Sequence, residues 1–134
     1  MVSYRNAAVN YRTTDVYGAI EDADGHALVA LLYERLGEDL YAARHALEAG
    51  DIAGKCKALR HALDVLDVLR AGLDFERGGE IAANLDALYD YMQRRLVFAN
   101  VENCRPPIDE VAGLLAQIRS AWAALDRRTV AVGP

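Results

Sequence analysis

Three breaks divide this chain, and between them apolar residues recur at spacings of three and four, which restricts it to amphipathic helices. The breaks are Gly50-Asp51, Gly78-Gly79 and the adjacent Pro106-Pro107. A glycine followed by an aspartate closes one helix and caps the next. Two glycines cost a helix interior about 2 kcal/mol together, and a proline suits a first turn. The first helix is predicted to start near Asp24, whose carboxylate caps it, with Val29, Leu36 and Ala43 in one stripe and Tyr33, Leu40 and Leu47 beside it. The second carries Ile52, Cys56, Leu59, Leu63, Leu66 and Leu73 with Arg70 as the one interruption, widened by Ala58, Ala62, Val65 and Leu69. The third presents Ile81, Leu85, Leu88, Met92, Leu96 and Ala99, and the fourth Ile108, Val111, Leu115, Ile118, Trp122 and Leu125.

Helices of this length joined by short loops pack as an antiparallel bundle. The expected fold is therefore all-α, an up-down four-helix bundle over residues 24–127, with helices at about 24–49, 51–73, 80–103 and 107–126. Residues 1–23 are expected to form an extended or short-helical segment packed on the bundle. The tail, 128–134, has no period and is expected to be mobile.

A chain of 134 residues is one domain's worth and large enough to bury its own core. Although 53 % of it is hydrophobic, no apolar run approaches the ~18 residues of a membrane span. Its start, MVSYRNAAVNYRTTD, lacks the apolar region of a secretory signal, so a soluble cytosolic protein without membrane insertion is expected. The formal net charge of -5 comes with scattered basic residues, which excludes the basic stripe that nucleic-acid binding wants. Cys56 and Cys104 have no metal-type spacing. Cys56 reads as a small core hydrophobe, and Cys104, at a helix end, as an exposed thiol.

Catalytic chemistry finds no support. A dinuclear metal site in a bundle wants Glu-x-x-His pairs facing inward, and none occurs. His26, His45 and His61 are dispersed over a helix start and polar faces, so all three read as solvated. The stretch HALDV at His61 superficially resembles the phospho-accepting helix of histidine phosphotransfer domains, H-x-L-K-G. Here, however, Asp64 and Val65 replace its Lys and Gly. A carboxylate one turn away repels a phosphoryl group whose own charge approaches -2. No nucleophile elbow, glycine-rich phosphate loop or paired-cysteine motif appears, and no cofactor is implied.

What remains is surplus hydrophobicity. Leu28, Leu32, Tyr33 and Tyr41 on the first helix, and Tyr89, Tyr91 and Phe98 on the third, exceed a narrow seam. Apolar faces this wide either thicken the core or make grooves for another helix. Tyrosine suits a half-wet groove, ring buried and hydroxyl hydrated.

The stretch GGEIAANLDALYDYMQRRLVFAN narrows these alternatives. It resembles the central helix of the flagellin-specific export chaperone (FliS) family, NL-x-x-LY-x-YM-x-RRL-x-x-AN. Asn84, Leu85, Leu88, Tyr89, Tyr91, Met92, Arg94, Arg95, Leu96, Ala99 and Asn100 meet that pattern. Leu28 to Tyr33 (LVALLY), Leu73-Asp74 ahead of the glycines, Trp122 and Tyr11 agree in order and spacing, so the resemblance covers about Tyr11 to Leu125. The chain departs from the pattern at Asp22-Ala23-Asp24, where the family carries T-A-S-P or S-A-S, and at Glu34-Arg35, where it often has Asp-Gly.

The resemblance implies a cytoplasmic chaperone that binds the disordered C-terminal segment of flagellin, prevents premature polymerisation and keeps it competent for type III export. The client would fold into helices lying along grooves of the bundle. The residues it implies for the client are Tyr11, Val16, Tyr17, Leu28, Leu32, Tyr33, Leu85, Leu88, Tyr89 and Met92. Residues 1–23 would lie over part of the groove and move aside on binding. The export gate, an antisigma factor or an assembly factor would be further partners. Two rivals from other classes are a phosphotransfer bundle accepting phosphate at His61 and a structural bundle that dimerises through its apolar surface.

Overall fold

The structure, a computed structural model, describes residues 25–132 and contains four helices and no strand among them. These are α1 (Gly25–Glu48), α2 (Ile52–Ala71), α3 (Phe75–Glu102) and α4 (Pro106–Val132). Each packs against its two sequence neighbours, and α4 returns to α1, so the four form a closed antiparallel ring around one core.

The local chemistry of the ends explains the turns. Gly50 takes φ 76°, where a Cβ would be strained, and the Asp51 carboxylate accepts the Gly54 N–H at 2.9 Å to open α2. Asp74 does the same for α3 through the Arg77 N–H at 3.0 Å. At the far end of α3, Asn103 adopts the left-handed conformation, φ 51°, with its N–H on the Ala99 carbonyl.

The expected break at Gly78-Gly79 is present, since the chain leaves helical geometry at Gly79, but Asp74 caps one further helical turn ahead of it, so α3 is counted from Phe75. Gly79 makes the break at φ 51°, ψ -126°, a region open essentially to glycine alone. The last helix runs to Val132, beyond the expected end at 126. Residues 1–24, with the expected capping segment and Tyr11, Val16 and Tyr17, lie outside the described residues.

The core is formed by Val29, Tyr33, Leu36, Leu40 and Ala43 of α1, Leu59, Ala62, Leu66 and Leu69 of α2, Tyr89, Met92, Leu96 and Ala99 of α3, and Ile108, Val111, Leu115 and Trp122 of α4. Two expected core residues, Ile52 and Ile81, are instead 47 % exposed each. The inward face of α2 is rotated by one residue at its start: Lys55 is buried, and Cys56 is only half-buried. Lysine can occupy this place because its stem is apolar and its ammonium finds oxygens. Lys55 Nζ donates to the Asn100 carbonyl at 2.8 Å and to Asn100 Oδ1 at 2.7 Å. That carbonyl belongs to the last turn of α3, which lacks intrahelical donors and attracts positive charge. The Cys56 thiol points to the same Oδ1 at 3.4 Å. Asn100→Ala is therefore expected to destabilise the fold by about 2 kcal/mol by stripping a partner from a buried ammonium. Asn100→Asp should recover most of that loss, and denaturant unfolding of the two variants checks the ordering.

Arg70, the interruption in the α2 stripe, faces α3 instead of water. Its guanidinium donates to both Asp86 oxygens at 2.8 and 3.2 Å, to Asp90 at 3.1 Å and to Gln93 at 2.8 Å. Trp122 makes the corresponding tie between α4 and α1. Its Nε1–H donates to the His26 carbonyl at 3.0 Å, and the His26 Nε2–H donates to the Trp122 carbonyl at the same distance. The rings stack at 4.6 Å with 11° between their planes, and Tyr33 meets Trp122 edge-on at 5.9 Å. His26 is thus buried rather than solvated, because its ring stacks on Trp122 and its Nε2–H and backbone carbonyl both have partners.

Between α3 and α4 the Glu110 carboxylate accepts the Tyr91 hydroxyl at 2.5 Å and Arg95 Nε at 2.8 Å. These bonds, Tyr91's first, hold the Glu110 carboxyl below the ordinary 4.5. A depressed folded-state pKa means that the pair's contribution is complete above the unfolded value and is lost as pH falls through the depressed one. The Glu110 midpoint, followed by NMR, is expected below 4.5. Tyr91→Phe should return it toward that value, and an unchanged midpoint would remove Tyr91 as the cause.

A candidate partner-binding groove between the first two helices

Helices α1 and α2 are joined by three residues, and small side chains keep part of their seam shallow. Ala42 on α1 and Gly54 and Ala58 on α2 floor a groove of about 570 Å³. It shares Arg35, His61 and Asp64 with a second depression of about 240 Å³ nearer the start of α1. The two form one channel along the seam. By the helical rise, Val68 to Gly54 spans roughly 20 Å, room for about four turns of another helix.

The channel's two ends differ in chemistry. At one end Leu31 and Val68 both line the seam, each 49 % exposed, with Leu32 and Val65, and Leu28 is 41 % exposed one turn before Leu31. At the other, exposed Lys57 and Arg60 line the walls. In the middle, His61 Nδ1 lies 2.5 Å from Asp39 Oδ2. With Asp39 on the ring and Asp64 lining the same channel, His61 sits in a carboxylate environment that opposes a phosphoryl group.

The described residues expected to hold a partner separate into three groups. Leu32, half-buried, lines the apolar end of the channel, and Leu28 is exposed on α1 one turn before Leu31. Tyr33, Tyr89 and Met92 are closed inside the bundle, where the Tyr33 and Tyr89 hydroxyls are 2.6 Å apart. Leu85 and Leu88 are half-buried and pack against the core from α3. Leu31 and Val68 were missed by the sequence reading. Their signal was their position, each three residues beyond a residue already singled out (Leu28 and Val65), which puts them on the same helical face.

Other exposed apolar surface lies on the outer face of α3, where Val97, Phe98 and Val101 are 48, 48 and 70 % exposed and the Arg95 guanidinium sits 5.3 Å from the Phe98 ring centre. Tyr41 is 58 % exposed, with His45 at 4.2 Å. Among the described residues no group of His, Cys, Asp or Glu is arranged to hold a metal ion, and no helix is long and apolar enough to cross a membrane. What the channel offers is shape and apolar area at helix-groove dimensions, which is the chemistry of peptide recognition.

Comparison with known proteins gives the same direction. The profile of the family described as "Flagellar protein FliS" matches residues 6–129. The chain is similar to the flagellar secretion chaperone FliS of Salmonella typhimurium, at 46 % identity over 84 % of each chain. It is also similar to the flagellar secretion chaperone FliSB of Pseudomonas aeruginosa, at 40 % identity over 87 % of this chain and 92 % of the relative. Similarity to FliS of Vibrio cholerae is 35 % over 88 % and 87 % of the two chains. With a family match over residues 6–129 and these relatives aligned along most of their length, the chain belongs to the FliS family of flagellar proteins.

Proposed function

We propose that this protein is a cytoplasmic export chaperone that binds the disordered C-terminal segment of flagellin, blocks premature polymerisation and keeps the segment competent for type III export. The observation that carries this reading is the channel between α1 and α2. Exposed leucines and a valine flank a slot of helical width in a member of a family whose relatives are named flagellar secretion chaperones. Leu28 and Leu32 contact the client directly, with Leu31 and Val68 beside them. Tyr33, Tyr89 and Met92 set the position of the walls from within, and Leu85 and Leu88 serve a further stretch of client on α3.

Coupled folding and binding of this kind buries about 1,000–3,000 Å² and loses about 2–5 kcal/mol to ordering, which leaves a tight complex that still releases its cargo. Calorimetric titration with a peptide spanning the flagellin C-terminal segment is expected to show one-to-one submicromolar binding with a strongly negative heat-capacity change. No binding by the folded monomer sinks the reading. We further assign Tyr11, Val16 and Tyr17 to a segment that competes with the client, so deletion of residues 1–17 should tighten client affinity or leave it unchanged. Abolished binding in a deletion variant that still folds would refute a purely competitive cap.

A further inference from the structure

The two ends of the α1/α2 channel differ in charge as well as in polarity, although the whole chain carries a formal net charge of -5. Arg35, Lys57 and Arg60 all line it, all three are exposed, and none makes an ion pair among the described residues. Against them stand two carboxylates. Asp39 is engaged by His61, and Asp64 makes no ion pair among the described residues. The channel floor is small and apolar, with Ala42, Gly54 and Ala58, so the cations stand at its walls where an occupant's flanks would pass. Eight to eleven residues of α2 separate Val68 from Arg60 and Lys57, a rise of roughly 12–16 Å or two to three helical turns.

We propose that this channel selects an amphipathic helix whose apolar anchors are separated by two to three turns from acidic side chains, and that Lys57 and Arg60 fix which way round that helix lies. The proposal rests on the reading that the channel receives a partner helix, and adds the chemistry of the helix it takes. The apolar anchors seat between Leu31 and Val68, and the acidic residues then fall beside Lys57 and Arg60, with Arg35 midway. A helix laid the other way would set its carboxylates against leucine and valine, where they lose hydration without gaining a partner. Charge complementarity of this sort acts more on orientation and discrimination than on total affinity.

The test uses the full chain and two labelled designed helical peptides with identical leucine anchors, one carrying glutamates and the other lysines two to three turns away. The glutamate peptide is expected to bind about tenfold more tightly at low salt, and the difference should shrink as salt screens it. In the double variant Lys57→Glu/Arg60→Glu, which changes only exposed positions, the preference should invert. Equal affinities, a preference that survives the reversal, or no binding of either peptide by the folded chain each overturn the proposal. So does a self-association, seen by sedimentation, that the reversal abolishes, because it assigns the channel to a second copy. The flagellin peptide, titrated in parallel, keeps the two readings apart. Flagellin binding without peptide discrimination refutes the charge selection alone, and discrimination without flagellin binding refutes the flagellin assignment alone.

Discussion

Replacing Trp122 with alanine is expected to lower the free energy of unfolding by about 3–5 kcal/mol, a large share of what a domain of this size possesses. The indole is 5 % exposed, and its removal takes away three things at once. The apolar contact of the ring with the core goes, as does the stack on His26. The donor that satisfies the His26 carbonyl at the start of α1 is also lost. Trp122→Phe should cost about 1–2 kcal/mol, since it keeps an aromatic face for His26 and Tyr33 and loses mainly the Nε1 hydrogen bond. Denaturant midpoints of the two variants test this directly. Equal losses would mean that the hydrogen bond, not the packing, holds α4 against α1.

Placing aspartate at both Leu31 and Val68 is expected to weaken binding of the flagellin segment by about 100-fold or more, equivalent to about 3 kcal/mol. Both side chains line the apolar end of the channel, so any helix seated there would press its apolar face on two carboxylates and strip their water. Each position is half-exposed in the free protein, which is why the same substitutions should move the thermal midpoint by only a few degrees. The two readouts together matter: affinity retained within threefold would locate the client elsewhere, and a molten variant would show that these residues belong to the core. The buried set behaves oppositely. Alanine at Met92 should be felt in stability before it is felt in binding, because its side chain has no exposed surface.

The helical periods carried the fold class. Four apolar stripes separated by glycine, aspartate and proline signals specify four helices, and Asp51 caps as its sequence position suggests. Where the reading went astray, a polar residue did something periodicity does not encode. Lys55 displaces Cys56 from the inward face because Asn100, 45 residues away, supplies two oxygens to its ammonium. Arg70 breaks a leucine stripe because Asp86, Asp90 and Gln93 await it on α3. His26 is drawn inside by Trp122, 96 residues on. Each is a long-range pairing, invisible to a window of a few turns.

The helical turn ahead of Gly79 was hidden for a related reason. The cost of two glycines argues for a helix end, whereas the Asp74 cap and one positive-φ residue let the chain gain a turn before the break. The binding surface was harder still. Tyrosine and leucine beyond the seam signal surplus apolar area, but only packing decides that Tyr33 and Tyr89 are enclosed while Leu31 and Val68 remain open.

The hydroxyl pair between Tyr33 and Tyr89 bears on how such a bundle avoids alternative alignments. These tyrosines sit on α1 and α3, which stand diagonally across the ring. Leucine layers on a diagonal are nearly interchangeable, and a helix shifted by one turn would still find oil against oil. A one-turn slide of α1 past α3 would instead carry the two oxygens about 5.4 Å farther apart along the axis and break the hydrogen bond between them. The pair therefore works as an alignment pin, penalising every stacking of the layers but one and widening the gap between the native arrangement and its near copies.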